Sequence, residues 1–69
     1  MTFPHLRRRL GLKVRALRED RGMTQLSLAF AAGLTPARIS EIESGKREAR
    51  LSSLLRIAQA LHVELSALF

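Results

Sequence analysis

Apolar residues that return every three or four positions predict an all-α fold, five short helices around one leucine-rich core. Two further observations point the same way. No stretch alternates with the two-residue period of a half-buried strand, and Gly22, Gly33 and Gly45 punctuate the helical pattern.

The first helix is expected from about Pro4 to Arg21, with Leu6, Leu10, Val14 and Leu17 on one face. Gly11 is a weak point inside it, of a kind a helix tolerates singly, and Gly22 stops it. The second helix follows Thr24, whose hydroxyl can accept a free backbone N–H at the helix start. Gly33 supplies a tight turn, where glycine takes a positive φ at little steric cost. Thr35 caps the third helix, Pro36 fills its first position, where a missing N–H costs little, and Gly45 ends it. Leu28, Ala32, Leu34, Ile39 and Ile42 point inward, and small Ala29 sits where the two helices cross. Residues 44 to 50, SGKREAR, form a polar basic loop. The fourth helix runs from about Leu51 to Leu61, with Leu51, Leu54, Leu55, Ala58 and Leu61 on its inner face. A short fifth helix spans Leu65 to Phe69.

Sixty-nine residues make one small domain, residues 1–69, with a modest core. The chain has no cysteine, so neither a disulfide nor a zinc thiolate can staple it, and helix packing must hold it together, aided by dimerisation. No apolar run is long enough to span a bilayer and no secretory signal is visible, which predicts a cytoplasmic protein with no membrane partner. The formal net charge is +6. Residues 1 to 22 hold seven cations against two carboxylates, +5, and the remaining 47 residues hold five against four, +1. That balance favours a polyanionic partner. Aromatics are 4% of the chain, with no Tyr or Trp, which argues against gripping single strands by base stacking. Enzyme readings find no support. His5 and His62 are far apart with no cysteine beside them, Glu41 and Glu43 point to different helix faces, and no glycine-rich phosphate loop is present. No metal centre, cofactor or catalytic residue is expected.

Residues 24 to 47, TQLSLAFAAGLTPARISEIESGKR, thus read as two short helices joined by a glycine turn, the pattern of a helix-turn-helix whose second helix enters the major groove of DNA. Through Thr24, Gln25, Leu28, Ala29, Gly33, Ile39, Ser40, Ile42, Glu43, Gly45 and Lys46 the chain resembles the Cro/cI-type, XRE-like helix-turn-helix family of small bacterial and phage transcriptional regulators. Leu17-Arg18 before it and Leu54-Leu55, Ala58, Leu61, Val63 and Leu65 after it extend the resemblance over roughly residues 10 to 69.

The resemblance implies a lambda-repressor-like fold and a bacterial or phage-encoded regulator. Such a protein binds double-stranded DNA sequence-specifically as a homodimer, on an inverted repeat with half-sites about 10 bp apart, and by default represses by covering a promoter. With Leu34, Ile39 and Ile42 inward, the helical period turns Thr35, Pro36, Ala37, Ser40, Glu41 and Ser44 outward, onto the positions that face DNA in the family. Pro36 and Ala37 stand where some members carry glutamines, and they suit thymine methyls. Glu41 suits cytosine N4, at the cost of repelling phosphates. Arg38, at the edge of this face, either reads guanine or grips a phosphate, or is a solvated arginine. Thr24 and Gln25 at the start of the second helix, with Lys46, Arg47 and Arg50 after the third, are the expected phosphate contacts; they position the protein without reading sequence. Arg18 and Glu43 match a structural ion pair that orients the reading helix. Arg7, Arg8 and Arg9 form either an arm along the DNA or a solvated helix face. Apolar Val63, Leu65, Leu68 and Phe69 are the expected dimer contact.

Two departures from the family pattern stand out. Leu26 and Phe30, four apart on the second helix, replace polar residues. They either form a patch for a protein partner or pack under Phe3 and the N-terminal segment, the second being preferred. Ala49-Arg50 replaces a proline and a small hydroxyl cap, which shifts the start of the fourth helix by a residue or two. The competing function is an antitoxin or a restriction–modification controller whose helix-turn-helix serves autoregulation. A charge-driven binder of nucleic acid or membrane, without sequence preference, is the third reading.

Overall fold

The computed structural model describes residues 3–69, the side chain of Phe3 excepted. Helix α1 (Phe3–Asp20) is followed by α2 (Gln25–Ala32), α3 (Pro36–Ser44) and α4 (Leu51–Leu61), and the chain closes with a 3-10 turn at Leu65–Leu68. The fold is all-α as expected, but the fifth element is one 3-10 turn rather than an α-helix. Four residues close only the tighter ring that such short pieces use.

α2 and α3 begin and end for local chemical reasons. The Thr24 hydroxyl accepts from Ser27 N at 3.0 Å, and Thr24 N donates to Ser27 Oγ at 2.9 Å, a reciprocal capping box. The Thr35 hydroxyl accepts from Arg38 N at 3.1 Å, with Pro36 at the first helical position. Gly33 and Gly45 close the two helices in the left-handed conformation, at φ 69° and 72°. α4 starts at Leu51, the position expected; Arg50 makes no side-chain cap bond there.

The core is built from Leu10 and Val14 of α1, Leu28, Ala29 and Ala32 of α2, Ile39 and Ile42 of α3, and Leu54, Ile57, Ala58 and Leu61 of α4, closed by Leu68. The inner face of α1 differs from the expected one. Leu10, Gly11, Val14 and Arg18 are buried, Leu17 is half-buried and Leu6 is exposed. The cause is Gly11, where an added Cβ would collide with the backbone carbonyl oxygens of Ile42 and Glu43. The end of α3 lies directly on the bare α1 backbone, so this glycine makes the helix crossing possible. α4 is also rotated from expectation. Ile57 is buried, while Leu51 and Leu55 are 61% and 43% exposed. Its buried stripe runs through residues 54, 57, 58 and 61, and residues 51 and 55 fall on the flank of that stripe.

Leu26 and Phe30 are 66% and 88% exposed. Packing beneath the N-terminal segment would have buried them; the partner proposed for them there, the Phe3 side chain, lies outside the described residues. Arg7, Arg8 and Arg9 belong to α1 and are not a free arm. Among the described residues no helix is long and apolar enough to cross a membrane.

Candidate nucleic-acid interface

The outward side of α3 carries Thr35, Pro36, Ala37, Ser40 and Ser44, all exposed, with Arg38 and Glu41 half-buried at its margins. Burying Ile39 and Ile42 forces this arrangement, because residues between two inward positions must point away from the core. The exposed groups are small, so an approaching surface can come close to the helix backbone. Ser44 Oγ donates back to the Glu41 carbonyl at 3.1 Å. Glu41 sits between two cations, 3.9 Å from Arg38 Nη1 and 3.6 Å from Arg47 Nε.

Beneath this face lies a polar anchor. Arg18 and Glu43 form a two-pronged ion pair, Arg18 Nε donating to Glu43 Oε2 at 2.7 Å and Nη2 to Oε1 at 3.0 Å. Both residues are 9% exposed. Arg18 Nη1 also donates to the Met23 carbonyl at 2.8 Å, and Gln25 Nε2 donates to Glu43 Oε1 at 3.1 Å. One guanidinium and one carboxylate therefore tie together the end of α1, the α1–α2 turn, the start of α2 and the end of α3. Their hydrogen bond raises the Arg18 pKa above its ordinary value, against the opposing effect of burial. Among the described residues no buried side-chain polar atom lacks a partner.

The basic loop begins where α3 ends. Lys46 N donates to the Glu41 carbonyl at 3.1 Å, which completes the turn at Gly45 and projects Lys46 and Arg47 into solvent. Arg7 Nε donates to the Gly45 carbonyl at 3.3 Å, tying α1 to the head of this loop. Nothing in the sequence pairs residues 7 and 45, although a cation at a helix C-terminus is favoured by the helix dipole. Arg50 is exposed one position before α4, Thr24 is exposed with its hydroxyl in the capping box, and Gln25 is half-buried against Glu43. The geometry thus assembles a shallow polar ridge, α3, with exposed cations behind it and two capped helix starts beside it. Such a ridge can hydrogen-bond an edge while its cations neutralise an anionic backbone.

The four residues expected to meet a second copy divide. Leu68 is fully buried in its own core and is withdrawn from that role; Val63 and Leu65 are half-buried against the same core. The 3-10 turn folds back onto α1 and α4, which consumes the apolar side chains that a free tail would have presented. Phe69 is 50% exposed and lines an open groove with Leu6, Leu10, Ala49 and Leu54.

Residues 14–68 match the helix-turn-helix family model HTH_3. Among curated proteins, the chain is 34% identical over 59 residues to the immunity repressor protein of Bacillus phage phi105, covering 86% of this chain and 41% of that one. It is 41% identical over 54 residues to the HTH-type transcriptional repressor RghR of Bacillus subtilis, covering 77% and 40%. The chain spans less than half the length of these curated relatives. Among solved structures, the restriction–modification controller protein C.AhdI of Aeromonas hydrophila superposes with a TM-score of 0.88 at 35% identity, covering 90% of this chain and 94% of that one. With a family model matched over most of its length and a fold shared at this level, the chain belongs to the XRE-like HTH_3 helix-turn-helix family, which is not a family of enzymes.

Proposed function

We propose that this chain binds double-stranded DNA sequence-specifically and regulates transcription, by default as a repressor in a bacterial or phage-infected cytoplasm. The observation that carries this reading is the outward face of α3, free of large apolar side chains, flanked by Lys46 and Arg47, and fixed from behind by the buried Arg18–Glu43 pair. In this reading α3 enters the major groove with Thr35, Pro36, Ala37, Arg38, Ser40, Glu41 and Ser44 toward the bases. The backbone N–H groups at the start of α2, Thr24, Gln25, Lys46, Arg47 and Arg50 meet phosphates. The protein acts as a homodimer on an inverted repeat. Leu51 and Leu55, one turn apart on α4, and Phe69 supply exposed apolar surface for the second copy, in place of the buried Leu68. Exposed Leu26 and Phe30 stand on the outer side of α2 as a contact for a protein partner.

A specific observation favours one member of this class. Its superposition on the restriction–modification controller C.AhdI, at a TM-score of 0.88 and 35% identity, supports a controller role.

The test is selection of bound duplexes from a random pool at about 0.15 M salt, where exposed charges are screened beyond about 8 Å. The expected result is an inverted repeat with half-sites about 10 bp apart. Recovery of no motif, with binding that vanishes as salt rises, would reduce the reading to charge-driven contact.

A further inference from the structure

The Arg38–Glu41–Arg47 cluster is a different kind of network from the buried anchor. Its side chains are 35%, 33% and 67% exposed, and its N–O separations are 3.9 and 3.6 Å. Pairs this exposed add little to stability, and no buried charge depends on them. Their effect is local: one carboxylate stands within ion-pairing reach of two guanidinium groups, at separations longer than a hydrogen bond. The remaining outward residues of α3 are short or apolar, so Arg38 and Glu41 carry the charge of this face, and Glu41 is its one anion.

We propose that Glu41 is a specificity-determining residue. Its carboxylate competes with DNA phosphates for Arg38 and Arg47, and it gives them up where the major groove offers it the cytosine N4 amino group. The inference rests on the DNA-binding reading above. On unrelated sequence the carboxylate keeps both guanidinium groups and brings a negative charge toward the phosphates, so fewer phosphates are neutralised and binding is weak. Over a suitably placed C·G pair, Glu41 accepts from cytosine N4. Arg47 is then free for a phosphate and Arg38 for guanine O6 and N7. Specificity on this face comes from withholding charge from the wrong sequence as well as from contacting the right one.

The experiment uses the full chain, the duplex that the wild type recovers from a random pool, and a scrambled duplex of the same length and composition, titrated across a salt series. Glu41→Gln is compared with Glu48→Gln, which removes the same charge from an exposed position in the basic loop. Glu41→Gln is expected to bind the scrambled duplex on the order of fivefold tighter. Its salt dependence should steepen by about one to two phosphate equivalents. Affinity for the selected duplex should not rise, so the specificity ratio falls, and a fresh selection should lose its cytosine preference. Glu48→Gln should move both duplexes alike. Equal behaviour of the two variants, or an unchanged motif and ratio for Glu41→Gln, overturns the role of Glu41 while leaving DNA binding intact. A wild-type chain that binds neither duplex overturns the DNA-binding reading and this inference with it.

Discussion

The helix-turn-helix half of the molecule and its α4 half secure their helices by opposite means. α2 and α3 have eight and nine residues, each opened by a threonine hydroxyl and closed by a left-handed glycine. α4 has eleven residues, opens at Arg50 without a side-chain cap and closes at His62, at φ 58° the one non-glycine residue with positive φ among those described. Helices this short do not persist alone in water. α4 compensates with a continuous apolar stripe, Leu54, Ile57, Ala58 and Leu61. α3 buries only Ile39 and Ile42 besides Glu43, because the rest of its surface is left outward. α3, with most of its surface outward, is held by its ends and by a buried ion pair; α4 is held by its buried stripe.

That contrast can be broken at several points. The largest effect is expected for Arg18→Ala, which strands the Glu43 carboxylate and unties α1 from α3. It should cost about 3–5 kcal/mol, a large part of the stability of a small domain, and should weaken DNA binding too. An unchanged melting temperature, followed by circular dichroism, would remove the anchoring role. Next comes Gly11→Ala. The gain in helix propensity is outweighed by collision with two backbone carbonyls that have no freedom to turn aside, a net loss of about 1–3 kcal/mol. The urea midpoint should fall with the slope unchanged. Thr35→Ala deletes one cap and should cost about 1 kcal/mol. The smallest effects have the opposite sign and lie in the other half. Arg50→Ser supplies the absent cap and His62→Gly relieves the left-handed strain, each adding about 0.5–1 kcal/mol in the same melts. A loss from either of these two would mean that α4 is not the under-capped half.

Most of the architecture was legible because its causes are local. Thr24, Gly33, Thr35, Pro36 and Gly45 set their turns by backbone and hydroxyl chemistry that a short window contains. What the sequence could not give was the rotation of helices about their own axes. Leu6 or Gly11, Leu51 or Ile57: each pair offers a sound helical face, and the choice depends on where a distant element lands. Gly11 read as a weakness in α1 because its use, the approach of residues 42 and 43, lies some thirty residues away. Leu68 read as sticky surface for the same reason, since its apolar character was evident and its place under the bundle was not. At the interface, the order of outward residues on α3 followed from period alone. The sharing of Glu41 by Arg38 and Arg47, and the reach of Arg7 to the Gly45 carbonyl, depend on how α1, α3 and the basic loop pack together.

The exposure of Phe30 has an optical consequence. The chain contains neither Trp nor Tyr, so it is dark in the near ultraviolet except for three phenylalanines. At 88% exposure, position 30 can take an indole without disturbing a packed neighbour. Phe30→Trp would place a single fluorophore on the outer side of α2, within the helix-turn-helix and against no background. Its emission would shift to the blue when anything apolar covers that face and stay red while water does.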